Sequence, residues 1–191
     1  NDTIYQYSLS VANDPSTATY DSISFSVAAQ STQACGLAIS TDGTKIYIGS
    51  GTQELIFEYN LSTAFDVSSA SYSSNSVNMG YTVLCVNFSP DGTQAFTSAG
   101  VESVRRVTLS TAWDLSTAAS SSQTSLTYES FGIAFSSDGT KLYAITTGKT
   151  IYEYPLSTAF DITTFSTSTS NLASGVAQTV TGFSGGSSTG S

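Results

Sequence analysis

Two kinds of aspartate position recur along this 191-residue chain and are the first candidates for chemistry. Asp42, Asp91 and Asp138 each sit in an S-x-D-G-T segment, and Asp14, Asp66, Asp114 and Asp161 each close a related four-residue segment, TAFD in two of the four copies. A rim of such carboxylates could coordinate Ca²⁺, which takes six to eight oxygens. No multi-oxygen loop follows any of them, however. Aspartate is also a strong turn former that bonds the backbone amides just ahead of it. The turn reading is preferred at both positions.

Phe65, Trp113 and Phe160 share one repeat position, which Asn13 occupies in the first copy. A ring of exposed aromatics there could stack on sugar faces, which makes these three the candidate ligand-binding residues. The competing reading is that each packs a corner onto a neighbouring sheet, since aromatics bury large areas. Cys35 and Cys85 fall on equivalent strands but are offset by one position. Because side chains alternate along a strand, that offset turns them to different sides. A Cys35–Cys85 disulfide is therefore one alternative, and two small buried thiols the other. A thiol nucleophile would need a basic partner, and none is identifiable. Glu58 and Glu153 occupy equivalent positions where the other copies have Gln6 and Arg106, a variation that reads as solvent-facing filler rather than a catalytic carboxyl pair. Three sequons begin at Asn1, Asn60 and Asn87, and in so hydroxyl-rich a chain such matches arise by chance.

Composition narrows the choice further. There is no histidine, which removes the commonest general base and zinc ligand, and two cysteines cannot build a Cys-rich zinc site. No metal or other cofactor is expected. The net charge is −9 with only five basic residues, which argues against nucleic acid and against anionic lipid. No apolar run approaches the length of a membrane helix. The N-terminus has no basic or apolar leader character, so a signal peptide is expected to be already removed or to lie upstream. Charged residues make up only 10% of the chain, and serine and threonine fill the polar positions.

These residues are positioned by a repeat. One anchor reads YQYSLSVANDPST from Tyr5, FEYNLSTAFDVSS from Phe57, RRVTLSTAWDLST from Arg105 and YEYPLSTAFDITT from Tyr152. A second reads GLAISTDGTKIYI from Gly36, CVNFSPDGTQAFT from Cys85 and GIAFSSDGTKLYA from Gly132. Both keep a period of about 48 residues, and each period carries the marks of four short strands: an apolar run, an Asp-Gly turn, two alternating runs and a looser Ser/Thr-rich stretch. Tyr7, Tyr59 and Tyr154, with Tyr47, Phe96 and Tyr143, are expected between the sheets. The predicted fold class is all-β, a β-propeller with about four repeats of four antiparallel strands, possibly part of a larger ring. The expected division is a partial blade at 1–35, blades at 36–85, 86–131 and 132–178, a partial first strand at 179–184 and a Gly/Ser/Thr tail at 185–191. The tail reads as a flexible linker or a cloning remnant.

The S-x-D-G-T segments and their flanking strands, FSPDGT above all, resemble the YVTN and lactonase-like propeller repeats. The LSTAFD and LSTAWD segments are similar to a variant found in surface and phage-associated repeat proteins. The resemblance implies a fold more than an activity. The function expected from these features is a non-catalytic structural or adhesive module, extracellular, on a cell surface or on a virion. Its expected partners are other copies of itself, other surface or virion proteins, or glycans. A lectin-like propeller is the narrower alternative. A lactonase-like hydrolase is the competing class, set aside because such enzymes use acidic metal ligands and often histidine.

Overall fold

The computed structural model describes residues 2–100, 102–146, 148, 150–166 and 170–172. The chain is all-β. Strands β3 (Ala34–Ile39), β4 (Lys45–Ser50), β5 (Leu55–Leu61) and β6 (Ala70–Asn78) form one four-stranded antiparallel sheet in that order. A second sheet holds β7 (Cys85–Phe88), β8 (Gln94–Ser98), β9 (Ser103–Leu109) and β10 (Ala118–Ser125). A third holds β11 (Gly132–Phe135), β12 (Lys141–Ile145), β13 (Ile151–Pro155) and β14 (Ser170–Leu172). Ahead of them, β1 (Thr3–Leu9) pairs only with β2 (Ala18–Ser26) among the described residues. The expected partial first strand at 179–184 and the tail at 185–191 lie outside the described residues.

The repeat period is visible in the register. In the β5–β6 pair, Tyr59 lies opposite Tyr72 and a bulge falls between Phe57 and Tyr59. In the β1–β2 pair, Tyr7 lies opposite Tyr20 with the bulge between Gln6 and Tyr7. The two-stranded sheet therefore holds the third and fourth strand positions of the complete sheets. The third and fourth strands of each sheet are joined through a single 3-10 turn, at Pro15–Thr17, Val67–Ser69, Leu115–Thr117 and Ile162–Thr164.

The aspartates explain why these turns form where they do. The carboxylates of Asp14, Asp66, Asp114 and Asp161 accept the backbone N–H two residues ahead at 2.9–3.0 Å, capping each 3-10 turn. Asp42, Asp91 and Asp138 accept the N–H of Thr44, Thr93 and Thr140 at 3.0 Å across the Asp-Gly turns. The Ser40 and Ser136 hydroxyls, followed by the threonine groups, hold the Asp42 and Asp138 carboxyls down at about 2.

The core is three layers between successive sheets. Ile46, Ile48, Tyr59 and Val27 fill the first, between the two-stranded sheet and β3–β6. Tyr47, Ile56, Val86 and Leu115 fill the second, and Phe96, Leu142, Tyr154 and Ile162 the third. Tyr47, Phe96, Tyr59 and Tyr154 have no exposed surface, whereas Tyr7 is 56% exposed and Tyr143 half-buried. Burying an aromatic of this size contributes roughly 2–3 kcal/mol. The first strands of successive sheets are neighbours: a Cβ on Gly36 would lie 2.8 Å from the Val86 nitrogen, and the Asn87 amide donates to the Ile133 carbonyl at 2.9 Å.

One polar position ties sheet to sheet. The Gln6 side-chain oxygen accepts the Val67 N–H at 2.9 Å, and Glu58 accepts the Leu115 N–H at 2.8 Å. Arg106 has no acceptor and instead donates to the Asp161 carboxylate at 3.0 Å. Glu58 is only 1% exposed and also binds Lys45 at 2.9 Å and Asn75 at 3.1 Å. The expectation that this position is solvent-facing filler is therefore corrected. Its variation follows the partner on the next sheet: an amide or carboxylate where a turn N–H is offered, a guanidinium where a carboxylate is within reach.

Candidate functional site

The sheets have two dissimilar ends. At one lie the Asp-Gly turns and the 3-10 turns, and here the repeats are nearly identical. The predicted aromatics belong to this end. Phe65, Trp113 and Phe160 have φ of 61°, 63° and 56°, and Asn13 has 63°. Each ring lies directly over the glycine of its own sheet's turn, so that a Cβ on Gly43, Gly92 or Gly139 would come within 2.4, 2.2 and 2.2 Å of it. The backbone N–H of each aromatic also donates to that glycine's carbonyl at 2.8–2.9 Å. Trp113 stacks on Phe88 at 4.9 Å and is half-buried, as is Phe160, while Phe65 is 58% exposed. The structure thus sets the three rings at equivalent corners with unequal exposure, each covering a turn.

The two cysteines are free thiols, which corrects the disulfide alternative. Gly36, not Cys35, lies against the Cys85 backbone, as the one-position offset requires. Cys35 is exposed, and the Cys85 sulfur lies 3.0 Å from the Ser98 hydroxyl. Asn60 is exposed, whereas the Asn87 side chain is occupied by the Ile133 carbonyl. Among the described residues no group of three or more His, Cys, Asp or Glu side chains could hold a metal ion, and no helix is long and apolar enough to cross a membrane.

At the opposite end, the connections from fourth to first strands and from second to third strands differ between repeats. The sequence reading passed over one residue here. Arg105 replaces the aromatic found at Tyr5, Phe57 and Tyr152. It stands in a row across the second sheet, with Thr97 on one side and Gln123 on the other. Tyr81, from the 79–84 connection, lies over this row: the Arg105 guanidinium carbon is 4.6 Å from its ring centroid. The Tyr81 hydroxyl is 2.9 Å from the Thr97 hydroxyl, and burial pushes the phenol up to about 12. Arg105 donates to the Gln123 side chain at 2.9 Å and to the Met79 carbonyl. Both acceptors are neutral, so the positive charge is oriented but not neutralised by them. Lys45, Arg106 and Lys141 are instead each paired with a carboxylate. A half-buried guanidinium of this kind is suited to an anionic group on a ligand. Its sequence signal was the break in the aromatic pattern at position 105. Glu54, Glu102 and Glu129 lie in connections at this same end and are exposed.

No protein-family model and no curated protein matches the chain. Solved structures do match. A protein from Bacteroides uniformis, provisionally described as a 6-phosphogluconolactonase, aligns at a TM-score of 0.59 and 16% identity, over 89% of this chain and 51% of its own. A second, from Bacteroides fragilis and described in the same way, aligns at 0.59 and 14%, over 86% and 47%. The chain spans about half the length of these proteins. The likeness supports the lactonase-like side of the resemblance seen in the repeats, while the surface and phage-associated variant finds no support. It also corrects the expected function. These two neighbours are described as 6-phosphogluconolactonases rather than display or adhesive proteins, which runs against both the expected non-catalytic surface module and the expected exclusion of enzymatic activity.

Proposed function

We propose that this chain forms blades of a β-propeller hydrolase that opens the cyclic ester of a phosphorylated sugar acid. The observation that carries the proposal is the fold likeness to the two Bacteroides proteins over nearly nine-tenths of this chain. The adjacency of the first strands β3, β7 and β11 fits blades set around one axis, and the three complete sheets fit successive blades.

In this reading Arg105 receives the anionic end of the substrate, with Tyr81 and Gln123 holding the guanidinium in place. Lactone opening adds water to the ester carbonyl and breaks the ring C–O bond, leaving a carboxylic acid and a free hydroxyl. Glu54, Glu102 and Glu129, in the connections before β5, β9 and β11, are the exposed carboxylates at this end that in this reading accept the proton of the attacking water.

The test is proton release from 6-phosphogluconolactone in a pH-stat, against the spontaneous rate. The purified protein is expected to accelerate opening, and Arg105→Ala to raise KM tenfold or more with a smaller change in kcat. A rate equal to the spontaneous one would sink the proposal.

A further inference from the structure

The connections that lead from one complete sheet to the next each place a tyrosine at the same position. The Met79 N–H donates to the Glu54 carbonyl at 2.8 Å and the Leu126 N–H to the Glu102 carbonyl at 2.9 Å, and two residues beyond these anchors stand Tyr81 and Tyr128. Each ring lies against the same repeat position of the sheet that follows, Arg105 in the second and Tyr152 in the third. The Tyr128–Tyr152 pair is therefore the counterpart of the cation–π contact, with a phenol where the guanidinium stands. Tyr152 packs into the layer between the second and third sheets, which also holds Phe96, Leu142 and Tyr154.

The geometry of this pair sets it apart. Tyr128 and Tyr152 stack face to face, with ring centroids 4.0 Å apart and planes 17° from parallel. Tyr7–Tyr20 and Tyr59–Tyr72 are wider, at 5.3 and 5.5 Å, and tilted by 45° and 52°. Tyr59 has no exposed surface, whereas Tyr128 is 42% exposed and Tyr152 half-buried, so the stacked pair is open to a reagent from water. Burial, followed by the Tyr128 hydroxyl, raises the Tyr152 phenol and keeps it protonated at neutral pH. Rings already held in contact react with each other far faster than either meets a second molecule.

We infer that Tyr128 and Tyr152 form an oxidative cross-linking site, joined as dityrosine by hydrogen peroxide acting through a haem peroxidase. Each phenol gives up one hydrogen atom to the oxidised haem. The two phenoxyl rings then form one C–C bond between carbons adjacent to their oxygens. The hydrogen on each of those carbons moves to oxygen, which restores both phenols. One peroxide is reduced to two waters, and the chain is lighter by two hydrogen atoms. The new bond ties the 126–131 connection to β13 between positions 24 apart, which restricts the unfolded chain as other internal cross-links do. Neither tyrosine has a part in the lactone reading, and the test involves no catalysis by this chain.

The full chain is treated with hydrogen peroxide and a haem peroxidase, and the monomer is isolated and digested with trypsin. Peptides 107–141 and 150–191 should be recovered joined, lighter by two hydrogen atoms and carrying dityrosine fluorescence; Tyr128 is the only tyrosine in the first. Tyr128→Phe and Tyr152→Phe, with folding checked by their urea midpoints, should each lower the joined peptide tenfold or more. Urea that unfolds the parent chain should do the same, whereas Tyr20→Phe should leave the yield unchanged. The cross-linked monomer should unfold at a higher urea concentration than the untreated one. A joined peptide formed equally well in urea, or one that persists in Tyr152→Phe and so runs through Tyr154, would overturn the inference. So would cross-links found only between chains or only among Tyr5, Tyr7 and Tyr20.

Discussion

Removing the Glu58 side chain should be among the most damaging single changes available in this molecule. Its carboxylate is 1% exposed and receives three donors: the Lys45 ammonium at 2.9 Å, the Asn75 amide at 3.1 Å and the Leu115 N–H of the next sheet at 2.8 Å. Breaking a buried ion pair from one side costs about 3–5 kcal/mol. Lys45 is 23% exposed and can turn to water, which places Glu58→Ala near the lower end, at about 3 kcal/mol. Most of that loss comes from the Leu115 N–H and the Asn75 amide left without their acceptor. Glu58→Gln keeps an oxygen for Leu115, as Gln6 does for Val67, and should cost only about 1 kcal/mol. Urea unfolding followed by tyrosine and tryptophan fluorescence reads both, the Ala variant losing about 1–2 M in midpoint. An Ala variant within about 1 kcal/mol of the parent, or a Gln variant no better than Ala, would refute the inter-sheet tie.

Two further outcomes are expected. Gly92→Ala should cost at least about 2 kcal/mol, because φ is +70° and the new Cβ would lie 2.2 Å from the Trp113 ring; Trp113 emission should shift to the red, while Gly148→Ala, whose Cβ meets nothing nearer than 3.5 Å, should be neutral in the same assay. The stability gap between the parent and Asp42→Asn should be full above about pH 4 and close as pH falls through about 2. The folded carboxyl is held below its ordinary value, so the native state resists the proton that the unfolded chain takes up first. A gap that stays constant from pH 5 to pH 2 in denaturant titrations would contradict this.

Much of the fold was legible because it is repetitive. Asp42, Asp91 and Asp138 mark turns by a local mechanism, aspartate bonding the amide two residues ahead, which needs no tertiary context. The strand order within each sheet follows from short connections between consecutive runs. Cys35 and Cys85 were readable as mismatched because side-chain alternation is a property of the strand alone. What could not be read were partners chosen across sheets. Glu58 looks like a surface residue in its own strand and becomes buried only when the turn at Leu115 closes over it. Arg105 was likewise passed over. Its role depends on Tyr81 and Met79, which lie 24 and 26 residues earlier in the chain but against the same row of the sheet. Phe65, Trp113 and Phe160 were recognisable as equivalent, but their positive φ and the glycine beneath each ring appear only in three dimensions.

The most direct test of the proposed activity is binding of the stable phosphorylated sugar acid that lactone opening would produce, measured by isothermal titration calorimetry at low and moderate salt. Saturable binding that weakens with salt and falls tenfold or more in Arg105→Ala is the expected result, since an oriented guanidinium supplies the charge. No detectable heat, or equal affinity in the parent and Arg105→Ala, would contradict the assignment of this end of the sheets as a substrate site.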